Sequence, residues 1–310
     1  MKALVAPAYG PLENLEFADL PKPVPGPGQV LVRLQAAALN PVDKALVTGA
    51  MRNVVPVRHP FVPGVDISGV VEAVGEGATR FAVGDPVIAW NGVTSGALAE
   101  YAVVADAPSA ARRPAELTPA QGAALPTGAL TAAALMDLAR VPDGGSVLVV
   151  GATGGIGTYA VQLARQAGLT VLATGRAGDE DFLRRLGAHH VLDHQAVDLA
   201  EEAHRLVPGG VDTVLDLAHA GPALATTAAA AREAGLVVSP LGGPPAFDRG
   251  VTASYGGTVT PEGRLADLAE RAAKGELRIE IESTYAFDDA RQALLDFASR
   301  RIRGKVAVTF

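Results

Sequence analysis

Hydrophobic and polar positions follow two different patterns along the chain. In the first third, short apolar runs such as residues 30–34 and 69–74 are set between breakers, and Pro21, Pro23, Pro25 and Pro27 crowd a segment too rich in proline for a strand or helix. This predicts a compact, irregular β domain. At Thr118 the character changes. Thr118-Pro119-Ala120-Gln121 is a capping-box pattern with proline at the first helical position, and the alanine-rich segment behind it predicts one long helix to about Arg140, bridging two domains.

From Pro142 the pattern is regular. After the turn Pro142-Asp143-Gly144-Gly145, apolar runs at 147–150, 170–174, 190–193, 212–217 and 236–238 predict strands. Between them, residues 179–186, 199–206 and 222–233 predict helices closed by Gly187, Gly209 and Gly235. Strand–helix alternation at this spacing argues for a parallel sheet covered on both faces. The last segment predicts a helix over 261–274, a strand near 279–281, a helix over 287–301 and a final strand over 305–309. Since the first third lacks a partner layer of its own, these last strands are expected to return and complete it, leaving the alternating region as an insertion.

Composition narrows the chemistry. A chain of 310 residues, 49% hydrophobic and 19% charged, can bury a large core, and its net charge of −7 gives no attraction for nucleic acid. There is no cysteine, which removes disulfides, thiolate nucleophiles and every cysteine-containing zinc site. The N-terminal MKALVAPAYG lacks the apolar core of a signal peptide, and no run is read as the roughly 18 to 20 apolar residues that span a bilayer. A soluble cytoplasmic protein with no membrane partner is expected.

The sharpest motif is Val147-Leu148-Val149-Val150-Gly151-Ala152-Thr153-Gly154-Gly155-Ile156-Gly157. A strand turning sharply into a helix points the helix N-terminus, with its unpaired N–H groups and positive dipole end, at a pyrophosphate. Thr153, Gly154, Gly155 and Ile156 are the candidate cradle. The first glycine of the usual G-x-G-x-x-G is Ala152 here, and an ordinary glycine-containing turn is the other reading. At the end of the next strand, where an acid would hold the adenosine ribose, stands Thr174-Gly175-Arg176. Arg176 is suited to the 2′-phosphate of NADPH, or is a solvated loop arginine. Asp179, Glu180 and Asp181 read as the acidic first turn of the following helix.

Together with further segments, these residues resemble the zinc-independent quinone oxidoreductase branch of the medium-chain dehydrogenase/reductase superfamily. The segments are Ala38-Leu39-Asn40-Pro41-Val42-Asp43, Pro60-Phe61-Val62-Pro63-Gly64-Val65-Asp66-Ile67-Ser68-Gly69 and Val83-Gly84-Asp85-Pro86-Val87, then Gly96-Ala97-Leu98-Ala99-Glu100-Tyr101, Leu125-Pro126-Thr127-Gly128-Ala129-Leu130-Thr131, Leu186-Gly187-Ala188 and Arg303-Gly304-Lys305-Val306. The resemblance implies an α/β fold in which a Rossmann doubly wound parallel sheet, residues 119–262, is inserted in a GroES-like β-rich catalytic domain, residues 1–118 and 263–310, with the active site between them. It implies that Asn40 reaches the nicotinamide or substrate region and that Thr131 contacts the cofactor near the ring. Ala218, Leu241 and Gly242 would line the nicotinamide pocket. Where zinc-dependent relatives carry glycine-histidine-glutamate, this chain has Gly64-Val65-Asp66, so no metal is expected. A tyrosine common in relatives two residues after the motif aspartate is Ala45, and another, after the third strand of the nucleotide domain, is His194, which is kept as a cofactor candidate.

Without a metal, an unactivated ketone is a poor hydride acceptor, whereas a quinone or enone spreads the developing charge by conjugation. Asn40 is the first candidate for a polar group at the reacting carbonyl, or a buried amide bridging two loops. Asp43 and Lys44 are a proton relay, or one caps a helix while the other is solvated. Tyr255 is a phenolic donor or aromatic wall, or packs at a subunit contact. Phe61 and Trp90 are stacking candidates for a flat substrate, or core aromatics. His190 and His194, four apart on a strand, lie about 13 Å apart at strand rise and cannot share an ion. The leading expectation is an NADPH-dependent quinone or enone reductase, dimeric through the sixth strand of the nucleotide domain over 251–259. The alternatives are an enoyl or tailoring reductase of a biosynthetic pathway and a non-catalytic, crystallin-like NADPH-binding protein.

Overall fold

The computed structural model describes residues 1–92, 96–244 and 246–310, and the chain divides into two compact units. One comprises Met1–Thr127 and Thr260–Phe310, and the other Gly128–Val259. Both chain ends belong to the first unit, and the second is formed by the residues between them.

The first unit opens with strands β1 (Lys2–Val5), β2 (Glu16–Asp19) and β3 (Gln29–Ala38), then helix α1 (Pro41–Val47). Strands β4 (Asp66–Val74), β5 (Pro86–Trp90), β6 (Tyr101–Ala105) and β7 (Ala110–Arg112) follow, then helix α2 (Pro119–Ala124). Helix α3 (Pro126–Ala139) leads into the second unit, where strands β8 (Ser146–Val150), β9 (Thr170–Gly175), β10 (His190–Asp193), β11 (Val211–Asp216), β12 (Ala231–Ser239) and β13 (Thr252–Tyr255) form the sheet. Their connections carry α4 (Gly157–Gln166), α5 (Glu180–Leu186), α6 (Leu199–Leu206) and α7 (Ala223–Ala228). The chain returns through α8 (Arg264–Ala273), β14 (Ile281–Ala286), α9 (Ala290–Ser299) and β15 (Lys305–Thr309).

In the first unit the sheet order is β14-β15-β3-β4-β5-β7, with β6 also on β3. Strand β3 pairs on one side with β4 and on the other with β6 along its first half and β15 at its end. A ten-residue strand thus joins the chain's final strand, β15, to the sheet built by its first third. In the second unit the parallel order β10-β9-β8-β11-β12-β13 reverses direction between β8 and β11. Ligands of such sheets lie outside the carboxyl ends of the strands at that reversal.

Several local expectations change. The helix expected from Thr118 to Arg140 is two helices, because Pro126 has no N–H to continue the first. The Thr118 capping box is present: its hydroxyl accepts from the Gln121 N–H, and Gln121 accepts from the Thr118 N–H at 3.0 Å. The division between units falls at Thr127 rather than 118, since α2 packs on β3, β4 and β15 of the first unit. Residues 119–139 are, contrary to expectation, long and apolar enough to cross a membrane by length and composition, but 78% of that window is buried in the protein. The helix expected over 222–233 stops at Ala228, and Ala231 already pairs with Val211. Helix-favouring residues are drawn into β12 by the ladder, and the excess is absorbed in a bulge where Ala234 takes φ 53°. The strand near 279–281 begins at Ile281 and runs on to Ala286, and a 3₁₀ turn, Phe287–Asp289, precedes α9.

Candidate functional site

In the second unit the candidate residues gather at the carboxyl ends of the strands. β8 ends in Gly151 at φ 78°, so the tight turn that Ala152 cannot make is made one residue earlier. A Cβ on Gly157 would lie 2.2 Å from the Gly151 carbonyl oxygen and 2.6 Å from the Ala152 Cα, so only glycine lets α4 start this close to the strand. No side chain caps α4; the Thr158 and Tyr159 N–H groups donate to the Gly154 and Ile156 carbonyls at 3.0 and 3.1 Å, so it is the positive dipole end of the helix, beside Thr153, Gly154, Gly155 and Ile156, that faces outward here. The Gly151 N–H donates to Thr174 Oγ1 at 3.0 Å, tying this turn to the end of β9.

Arg176 follows β9 and is exposed, with no ion pair among the described residues. His194, just after β10, is also exposed, and its N–H donates to the Gly175 carbonyl at 3.2 Å, so the two side chains stand on neighbouring strand ends. Asp179, by contrast, is fully buried and accepts the Arg176 N–H at 2.7 Å. Its carboxylate shapes the loop and is not presented to solvent. A glycine-rich turn running into a helix start at the carboxyl ends of a doubly wound sheet fits a nicotinamide dinucleotide.

Ala218 follows β11, and Leu241 and Gly242 follow β12; the loops are joined by the Gly221 N–H donating to the Gly242 carbonyl at 3.0 Å. Tyr255 ends β13 with its hydroxyl 2.6 Å from where a Gly243 Cβ would stand, so it belongs to this cluster. Thr131 lies on α3, buried, its hydroxyl 2.8 Å from that of Thr258. Sequence reasoning passed over His219, whose Nδ1 is 3.0 Å from Asp216 Oδ2. A lone histidine carries no pattern, and Asp216 was read only as a strand residue.

The first unit holds a buried polar network. Asn40 Nδ2 donates to Asp66 Oδ2 at 2.9 Å and to the Ala38 carbonyl at 3.2 Å, while Lys305 Nζ donates to Asn40 Oδ1 at 2.6 Å and Asp66 Oδ2 at 3.1 Å. Asp66 Oδ1 accepts from the Thr127 N–H and hydroxyl at 2.9 and 2.6 Å. Asp43 stands at the third position of α1 and accepts the N–H groups of Asn40 and Gly64. Burial pushes the Asp43 carboxyl up to about 7; the Asp66 charge adds to the rise, and the Asn40 N–H, Lys305 and the Gly64 N–H oppose it. Lys44 is exposed. Both amide hydrogens of Asn40 are committed within the protein, so what remains for a ligand is acceptor capacity at Oδ1. Lys305, too, escaped sequence reasoning as a partner of Asn40.

Phe61 pairs its backbone with Ala6 and lines a cavity of about 440 Å³ with Pro56, Val57, Arg58, Pro60, Val62 and Gly96. Trp90 ends β5 opposite Asp66. Residues 93–95, in the loop that follows Trp90, lie outside the described residues. Among the described residues no group of three or more His, Asp or Glu is placed to hold a metal ion.

The chain matches the alcohol dehydrogenase GroES-like domain over residues 26–114 and the zinc-binding dehydrogenase domain over 186–308. It superposes on a solved NAD-dependent alcohol dehydrogenase with a TM-score of 0.90 and 30% identity, covering 100% of both chains. It belongs to the medium-chain dehydrogenase/reductase superfamily. Within that superfamily it is similar to a chloroplastic quinone-oxidoreductase homologue of Spinacia oleracea, 40% identical over 203 residues, 63% of this chain and 61% of the relative's own length. A mycobacterial protein solved in complex with NADPH is 27% identical, with a TM-score of 0.87 and 100% of both chains covered. One matched family description names zinc, yet this member has no cysteine and has Val65 beside Asp66.

Proposed function

We propose that the protein is a zinc-independent, NADPH-dependent oxidoreductase that reduces a quinone or an α,β-unsaturated carbonyl compound. The observation that carries this is the juxtaposition, at the carboxyl ends of β8, β9 and β10, of an uncapped helix start with two exposed basic side chains while the nearby Asp179 carboxylate is buried. NADPH supplies the hydride when bound. Gly154, Gly155 and Ile156 would hold its pyrophosphate, and Arg176 with His194 its 2′-phosphate. Asn40, its N–H groups taken, would position neighbours or accept a hydrogen bond. A conjugated acceptor fits a site with so few strong electrophilic groups. The likeness to a quinone-oxidoreductase homologue supports the same substrate class.

The test is NADPH oxidation with a matched quinone, enone and saturated ketone, with and without a chelator. The quinone and enone should be reduced, the ketone hardly, and the chelator should change nothing. Fast ketone reduction overturns the reading; preference for a long enoyl thioester favours a biosynthetic reductase, and binding without turnover a non-catalytic protein.

The cofactor choice has its own test. Arg176→Ala should weaken NADPH binding by about 10- to 100-fold, the size of a charged hydrogen bond, and leave NADH unchanged in fluorescence titration. Equal affinity of the native protein for both cofactors would contradict it.

The edge strand β13 bears on assembly. It pairs only with β12 among the described strands, and Leu241, Tyr255 and Val259 nearby are 49%, 45% and 50% exposed. Edge-to-edge pairing with a second copy would cover it. Light scattering should report twice the 31.5 kDa chain mass at micromolar concentration, and a monomer would count against pairing.

A further inference from the structure

We infer that His219, held by Asp216, is the general acid that protonates the reduced substrate; this rests on the oxidoreductase reading above. Asp216 is the last residue of β11, one of the two strands between which the sheet order reverses, and it is fully buried. Both its oxygens are engaged. Oδ1 accepts the N–H groups of Ala218 and His219, each at 2.9 Å, and Oδ2 accepts the Thr227 hydroxyl at 2.5 Å and faces His219 Nδ1 at 3.0 Å. Four contacts on one carboxylate fix its position, and it fixes the imidazole in turn. The ring is oriented with Nδ1–H toward the carboxylate and Nε2 on its far side, where no described residue bonds to it. The side chain is 40% exposed, so Nε2 can exchange protons with water.

The location is what turns an oriented histidine into an acid for this reaction. The segment 217–219 abuts the glycine-rich turn: the Leu217 N–H donates to the Val150 carbonyl at 3.1 Å, and a Cβ on Gly151 would lie 3.5 Å from the Ala218 Cβ. The dyad therefore stands beside the reversal where a doubly wound sheet binds its ligand. An orienting carboxylate behind an imidazole holds Nδ1–H toward itself and leaves Nε2 as the atom that takes up and gives the proton. The hydride that NADPH would supply leaves its donor C–H bond, with oxidation of the cofactor to NADP⁺, and adds to the β-carbon of an enone, so the alkene π bond breaks and its pair moves onto oxygen as an enolate. The Nε2–H bond of the imidazolium then breaks, its proton goes to the enolate, and the neutral imidazole regains a proton from water. For a quinone the phenolate oxygen takes that proton.

The experiment compares the wild-type protein with His219→Gln in quinone and enone reduction, in NADPH binding and in rescue by added imidazole. Turnover should fall by about 100-fold, the usual contribution of a general acid, with NADPH affinity within about 2-fold and turnover restored by imidazole. A second readout needs no turnover: a phenol added as product analogue to the protein with oxidised cofactor should shift the ¹⁵N resonance of His219 Nε2. Undiminished turnover in the variant, a loss that imidazole does not restore, or an unmoved Nε2 resonance overturns the assignment. A wild-type protein that reduces none of the acceptors overturns the oxidoreductase reading, and this assignment with it, before the variant is measured.

Discussion

Lys305→Met should destabilise the unit built from Met1–Thr127 and Thr260–Phe310 by about 3 to 5 kcal/mol, the scale on which a buried ion pair fails when one partner is removed. Lys305 is 3% exposed and Asp66 fully buried, so water cannot replace the lost ammonium. Methionine fills much of the same volume. What is lost is the charge facing Asp66 and the donor to Asn40 Oδ1, and the second loss leaves a buried acceptor unpaired as well. The single tryptophan, Trp90, lies opposite Asp66 on β5, so its emission in a urea titration follows unfolding of this unit. Adding Asp66→Asn should recover much of the loss, because the uncompensated charge is then gone. A Lys305→Met protein as stable as the native one, or a double variant less stable than the single, would show that the pair carries no such energy.

The second large effect is a dependence of stability on pH set by Asp43. Its carboxyl is raised from 3.8 to about 7 in the folded protein, first by burial, so the folded state holds a proton that the unfolded chain releases. The stability it contributes is complete below the unfolded value and is lost as pH rises through about 7. Between pH 5.5 and 8 the native protein should lose roughly 2 kcal/mol from this group, at about 1.4 kcal/mol per pH unit in the steep part. His189 works in the other direction, since burial first and then Arg165 and His190 hold its pKa down. Its contribution remains in both proteins when Asp43→Asn is compared with native, so the difference between the two pH slopes isolates Asp43. The variant can be less stable at every pH, since an amide cannot accept the Asn40 and Gly64 N–H groups equally well, but its slope should be flatter. Parallel slopes would contradict the assignment.

Features that act over a few residues were readable along the chain. The Thr118 cap starts α2, Gly187 ends α5 with φ 113°, and the final strand runs over Lys305–Thr309 as its apolar run indicates. Buried parallel strands separated by helices declare themselves by spacing, and so the doubly wound sheet and its glycine-rich turn were legible. The expected helix over 222–233 was not legible beyond Ala228, because Ala231 gains more from pairing with Val211 on β11 than from helix propensity.

Local order decided where strands, helices and turns begin, and where the glycine-rich turn into α4 falls, since caps, glycine φ angles and apolar period act between neighbours in the chain. The tertiary structure alone decided which polar groups are partners. Lys305 meets Asp66 and Asn40 from 239 and 265 residues away, and Asp43 becomes a group that titrates near neutrality only because the fold removes it from water. Burial and long-range contact set the energy of a charge, and neither quantity exists until the chain has folded.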